Sequence, residues 1–153
     1  MATIVKLAKL PGMVGRELEP SDWLEISQER VNEFASATND HQFIHVDPER
    51  AAQTPFGGPI AHGYLTLSLL SFFREQSGIE PEGTVMAINY GSDKVRYLAP
   101  VCVGKRIRSL SKILQVTERK PNEWLIKTNV TIEIENEETP ALIAEILGLY
   151  LVS

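Results

Sequence analysis

Cysteine is almost absent from this 153-residue chain: Cys102 stands alone, so no disulfide framework can form. A reducing compartment, the cytoplasm, is the expected setting. An excess of basic residues is missing too. Lys and Arg number 15 against 20 Asp and Glu, a net charge of −5, which speaks against nucleic acid as a partner. The only long apolar run, Ile60–Phe73, is interrupted by Thr66, Ser68 and Ser71. It falls short of the roughly 20 residues a spanning helix needs, so no membrane segment is expected. Met1–Gly15 has neither a sustained apolar core nor a small-residue cleavage site, and no secretory signal is expected there. Repeats, low-complexity tracts and linkers are lacking as well. One soluble domain over residues 1–153 is therefore expected, and 43% hydrophobic residues suffice for its core.

What the chain does contain falls into two halves. In the first, Arg16–Ile26 reads as an extended lead-in after an irregular start. Ser27 is a plausible N-cap for a helix over Gln28–Thr38, with Val31, Phe34 and Ala35 on one face. Asn39–Val46 reads as a loop. Asp47 caps a short helix over Pro48–Ala52, and Thr54–Pro59 makes a turn. A helix over Ile60–Gln76 follows, ending at Gly78 as a left-handed terminator. It is apolar almost all round, so it must be enclosed on most sides.

The second half supplies the enclosure. Thr84–Tyr90, Lys94–Ala99, Lys105–Thr117, Glu123–Glu135 and Ala141–Val152 read as strands, the fourth with a clear period of two. Short polar turns make the long strands antiparallel neighbours. A slip of apolar phase between Ile107 and Leu110 predicts a bulge, and Cys102 reads as core. The expected fold is α+β: a curved antiparallel sheet wrapped around a long buried helix, the hot-dog arrangement.

Chemistry concentrates in Ala37–Ala51, ATNDHQFIHVDPERA. Asp40 and His45 lie between two helices, and Phe43 and Ile44 draw their loop inward. Burial beside apolar groups moves such residues into the range for acid–base work. A metal site made of His41, His45 and His62 with Asp40 or Asp47 matches no compact zinc spacing, so no metal is expected. No GxSxG elbow frames Ser68 or Ser71. Gly63 falls in the first turn of the long helix, where an unpaired amide could meet a developing oxyanion.

NDHQFIHVDPERA, followed by FGGPIAHGYLTLSLL and, from Ile88, INYGSDKVRYLAPVCVGKRIR, resembles the MaoC-like (R)-specific enoyl-CoA hydratases of the hot-dog superfamily. It resembles in particular the short single-domain members, which supply (R)-3-hydroxyacyl-CoA for polyhydroxyalkanoate synthesis. The resemblance implies that Asp40 and His45 form the catalytic dyad, with Gln42 as the amide-bearing residue. It places the amide donor to the thioester oxygen on Gly63 and a serine of some members on Ser71. The chain departs from the usual pattern at Asn39, Gln42 and Phe43, where the family has Gly, Asn and Pro.

The implied reaction is reversible syn hydration of a trans-2-enoyl-CoA to (R)-3-hydroxyacyl-CoA, with no cofactor, because the thioester itself acidifies Cα. The acyl tail is expected beside Tyr64, Leu65 and Phe72. CoA phosphates are expected to meet cations from the set Lys94, Arg96, Lys105, Arg106 and Arg108. Because one sheet on one helix leaves an edge uncovered, a homodimer joined edge to edge is expected. The alternatives are a dehydratase or thioesterase acting on another acyl thioester, and a non-catalytic acyl-CoA-binding protein. Hot-dog thioesterases place their acid on the long helix, and here that helix has no carboxylate before Glu75.

Overall fold

The computed structural model describes every residue from Met1 to Ser153. Strands β2 (Leu24–Glu25), β4 (Thr84–Tyr97), β5 (Arg106–Lys120), β6 (Glu123–Ile134) and β7 (Leu142–Val152) form one antiparallel sheet in the order β2-β5-β6-β7-β4. β1 (Thr3–Val5) and β3 (Ile79–Pro81) make a separate parallel pair. Five helices, α1 (Gln28–Thr38), α2 (Phe43–Val46), α3 (Pro48–Ala51), α4 (Gly63–Ser68) and α5 (Leu70–Ser77), lie between β2 and β3 in the chain. The curled sheet around α4–α5 is the hot-dog arrangement.

Local chemistry sets the helix starts. Ser27 Oγ accepts the Arg30 N–H at 3.1 Å and Asp47 Oδ1 accepts the Arg50 N–H at 3.1 Å, caps of the kind worth about 1 kcal/mol each. Leu65, Leu69, Leu70 and Phe73 of α4–α5 pack on Ile107, Ile132, Ile134 and Leu142 of the sheet, forming the main core. A second cluster joins Leu10, from a 3-10 turn over Leu7–Met13, to Ile113, Trp124, Ile126 and Tyr150. No helix is long and apolar enough to cross a membrane.

Several expectations need correction. The long helix starts at Gly63, because Ile60 is drawn into a β-bridge with Cys102, and it is interrupted at Leu69. It is not enclosed all round: Tyr64 and Phe72 are exposed. Gly78 is extended (φ −81°, ψ −169°) rather than left-handed. A Cβ there would stand 2.5 Å from the Arg74 carbonyl oxygen, so close approach is what requires glycine. The two expected strands Thr84–Tyr90 and Lys94–Ala99 are one strand, β4, with register shifts at Asn89/Gly91 and Ser92/Lys94.

In β5 the register shifts fall between Ile113 and Gln115 and between Glu118 and Lys120, not between Ile107 and Leu110. Burial there keeps its alternation through Ile107 and Ser109, and the apolar phase slips only because a serine occupies an inward position. The loop Asn39–Val46 contains the single-turn helix α2. The chain's start is likewise ordered, as β1 and the 3-10 turn. Cys102 is half-buried at the bridge to Ile60 rather than in the core.

Candidate active site

Helix α1 stops at Asn39, which adopts the left-handed conformation (φ 59°). The turn aims the Asp40 carbonyl inward, where it accepts His62 Nε2–H at 3.0 Å. Asp40 Oδ1 accepts the Gln42 N–H at 3.3 Å, the local bond that suits Asp to turns. Oδ2 stands 3.9 Å from His62 Nε2, and the carboxylate stays 52% exposed.

His45 sits on α2, which is anchored from both sides. Gln28 Nε2 donates to the His45 carbonyl at 2.8 Å, and Ile60 N–H donates to the Ile44 carbonyl at 2.9 Å. The buried His45 ring lies with Nδ1 2.6 Å from the Ile60 carbonyl oxygen. A carbonyl only accepts, so Nδ1 carries the proton and the neutral ring presents its lone pair at Nε2. Burial pulls the His45 pKa below 6.5, opposed by the Ile60 carbonyl, assisted by neighbouring His62 and opposed by Asp40.

Side-chain donor atoms of Asp40, His45 and His62 all lie within 4.8 Å of one another. A single water molecule can bridge groups at that separation. These three are also the residues that could hold a cation. However, one nitrogen of each ring is already committed, to Ile60 and to Asp40. His62 is the residue that sequence reasoning left outside the dyad. Its signal was the His-Gly pair at the helix start, where the histidine acts through its ring rather than as a side-chain cap.

A cavity of about 420 Å³ opens beside His45, lined also by Gly63, Tyr64, Thr66 and Tyr97 among others. Gly63 is the first residue of α4, so its N–H has no partner within the helix. Tyr97, which sequence reasoning also missed, covers it: a Cβ on residue 63 would stand 3.0 Å from Tyr97 Cε1. Tyr64 lies at this cavity, whereas Leu65 belongs to the core.

Other expected residues do not line this cavity. Ser71 lines a second cavity, of about 380 Å³, between α4–α5 and the sheet. The Gln42 side chain is exposed and makes no capping bond. Lys94 and Arg96 are exposed on β4 and line neither cavity. Lys105, Arg106 and Arg108 are each ion-paired, with Glu137, Glu135 and Glu133.

Residues 9–136 match the MaoC like domain. The chain is 44% identical over 151 residues to 3-hydroxyacyl-thioester dehydratase Z of Mycobacterium tuberculosis (strain CDC 1551 / Oshkosh), covering 99% of both chains. It is also 44% identical over 146 residues to nodulation protein N of Rhizobium meliloti (strain 1021), covering 95% of this chain and 91% of that one. Among solved structures, the (R)-hydratase from A. caviae involved in PHA biosynthesis superposes with a TM-score of 0.72. The identity is 26%, over 88% of this chain and 94% of the other. With its curled sheet, its helical spine and a domain match over most of its length, the chain belongs to the MaoC-like dehydratase family of the hot-dog superfamily.

Proposed function

We propose that the protein is an (R)-specific enoyl-CoA hydratase, adding water reversibly to a trans-2-enoyl-CoA to give (R)-3-hydroxyacyl-CoA. The observation that carries this reading is the setting of His45: Nδ1–H is held by the Ile60 carbonyl, which leaves Nε2 as the basic nitrogen, and a ring nitrogen of His45 and a carboxylate oxygen of Asp40 lie within 4.8 Å of each other. Asp40 and His45 hold the water between them. Hydroxide character is delivered to Cβ, one proton is taken up by the dyad, and a proton is delivered to Cα on the same face. Gly63 N–H receives the enolate-like thioester oxygen, a contact worth roughly 2.7–4 kcal/mol in other enzymes. Gln42, whose backbone N–H is bonded to the Asp40 carboxylate, orients the approaching substrate, and Tyr64 meets it at the cavity. Lys94 and Arg96, members of no ion pair, remain free for CoA phosphates.

The relative called a 3-hydroxyacyl-thioester dehydratase supports the same chemistry in the direction of water loss. One site serves both directions, so the thioester supplied decides which is seen. Loss of the conjugated enoyl thioester absorbance with crotonyl-CoA and longer enoyl-CoAs, with chiral separation of the product, tests the reading. Asp40→Asn and His45→Gln should each lower kcat by about 10²–10⁴-fold while the protein stays folded. Near-full activity in either variant would remove that residue from the dyad. Release of free thiol would instead indicate a thioesterase.

We further propose that the working form is a homodimer in the cytoplasm. β4 is a free sheet edge, and Val85 (65% exposed), Met86 (53%) and Tyr90 (49%) stand along it, with Tyr64 and Phe72 exposed on the helices. An apolar edge of this kind calls for a partner.

A further inference from the structure

We propose that the second cavity, between α4–α5 and the sheet, receives an acyl chain that ends in a carboxylate, with Arg74 as its partner. This rests on the acyl-thioester reading above and specifies which acyl groups fit it. A tunnel for a plain hydrocarbon tail would be lined by apolar side chains. Here the strands set hydroxyls among the apolar Ile113, Ile126, Val130 and Ile146: Ser109 and Ser111 from β5, Thr128 from β6 and Tyr150 from β7. Ser109 is buried at an inward position of the sheet, and its Oγ lies 3.2 Å from Ser111 Oγ.

Arg74 lines the same cavity from α5 and is half-buried. Its guanidinium lies 5.6 Å from the centre of the Tyr150 ring and belongs to none of the protein's ion pairs. Glu80, whose charge acts on the same phenol, forms no ion pair with it either. A cation partly withdrawn from water without an anion is costly, and a guanidinium fork matches a carboxylate with two parallel bonds. Arg74 follows Gly63 by eleven residues, about 16 Å along a helical rise. The anion it awaits is therefore remote from the thioester oxygen at Gly63. A volume near 380 Å³ is of the size that holds a small ligand.

The test compares mono-CoA thioesters of trans-2-enedioic acids with plain trans-2-enoyl-CoAs of equal chain length, in wild type, Arg74→Gln and Arg74→Lys. The expected kcat/KM favours the carboxylated member by about tenfold or more in wild type, the scale of a hydrogen bond to a charged group. Arg74→Gln should erase that preference, and Arg74→Lys, which keeps the charge, should retain part of it. A wild type that prefers the plain chain, or a ratio unmoved by Arg74→Gln, overturns the proposal and leaves Arg74 a solvated cavity residue. Calorimetric binding of the corresponding saturated thioesters repeats the comparison without turnover. If no substrate is hydrated, the hydratase reading fails, while the binding ratio still decides the carboxylate. Thermal melts establish that each variant is folded.

Discussion

The imidazole of His62 lies nearly flat against that of His45, ring centroids 3.8 Å apart and planes 23° from parallel. Phe34 closes on His62 from a tilted position at 4.9 Å. The stack holds the His45 ring in place, and the bond from His62 Nε2–H to the Asp40 carbonyl ties the acid's backbone to it. In the proposed mechanism His62 would thus be a positioning residue for both Asp40 and His45. His62→Phe keeps a flat ring and removes the bond. The expected result is a kcat lowered about tenfold with KM little changed, the scale of one lost hydrogen bond. A large rise in KM at constant kcat would place His62 in substrate binding instead.

The pH dependence follows from His45. Its folded pKa lies below 6.5, chiefly through burial, so the neutral base persists into mildly acidic solution. The acid limb of kcat/KM should therefore fall below pH 6.5. His62→Phe removes a neighbour that lowers this pKa, so the limb should shift upward in that variant. NMR titration of the His45 ring reads the same shift directly.

Stability is linked to the same proton. Between the lowered folded pKa and the ordinary value of about 6.5, the unfolded chain binds more protons at this residue than the folded one. Folding stability therefore falls as pH drops through that window, and His45 makes no pH-dependent contribution above it. Melting temperatures of His45→Gln should decline less on acidification than those of wild type. An equal decline in both would assign the acid sensitivity to other groups.

Gly63→Ala separates the amide from the space above it. Alanine retains the N–H, but its Cβ meets the Tyr97 ring at 3.0 Å. Overpacking of this kind costs about 1–3 kcal/mol, offset in part by alanine's helix preference. Lower stability and lower kcat/KM are expected in the single variant. Recovery of stability is expected in Gly63→Ala/Tyr97→Leu, measured by thermal melts. If stability does not recover in the double variant, the clash lies elsewhere.

Ile88→Lys tests the proposed pairing of β4 edges. The variant should sediment as a monomer at micromolar concentration while wild type sediments as a dimer. A wild type that is itself monomeric would refute the pairing.

Much of this was legible in the sequence because it is local. The caps Ser27 and Asp47, the alternation of β6 and the Asp40–His45 spacing depend on near neighbours alone. What escaped depends on residues far apart in sequence. Ile60 leaves the helix because Cys102 bridges it, and β4 stays whole because β7 pairs along its entire length. Ser109 breaks the apolar rhythm of β5 at an inward position, where its N–H bonds Ser21 Oγ, 88 residues away in sequence, and its side chain lines the second cavity. His62 entered the site because the turn after Asn39 brings the Asp40 carbonyl to its ring.

The register shifts of β4 also limit what that strand can become. A long, straight, apolar edge offers the same template to every chain that reaches it, and growth by addition then has no natural end. Extra residues at Asn89/Gly91 and Ser92/Lys94 bend and twist the strand. Only a mate of matching curvature can follow it along its length. Irregularity of this kind in the ladder is one of the devices by which natural sheets blunt an exposed edge against open-ended growth.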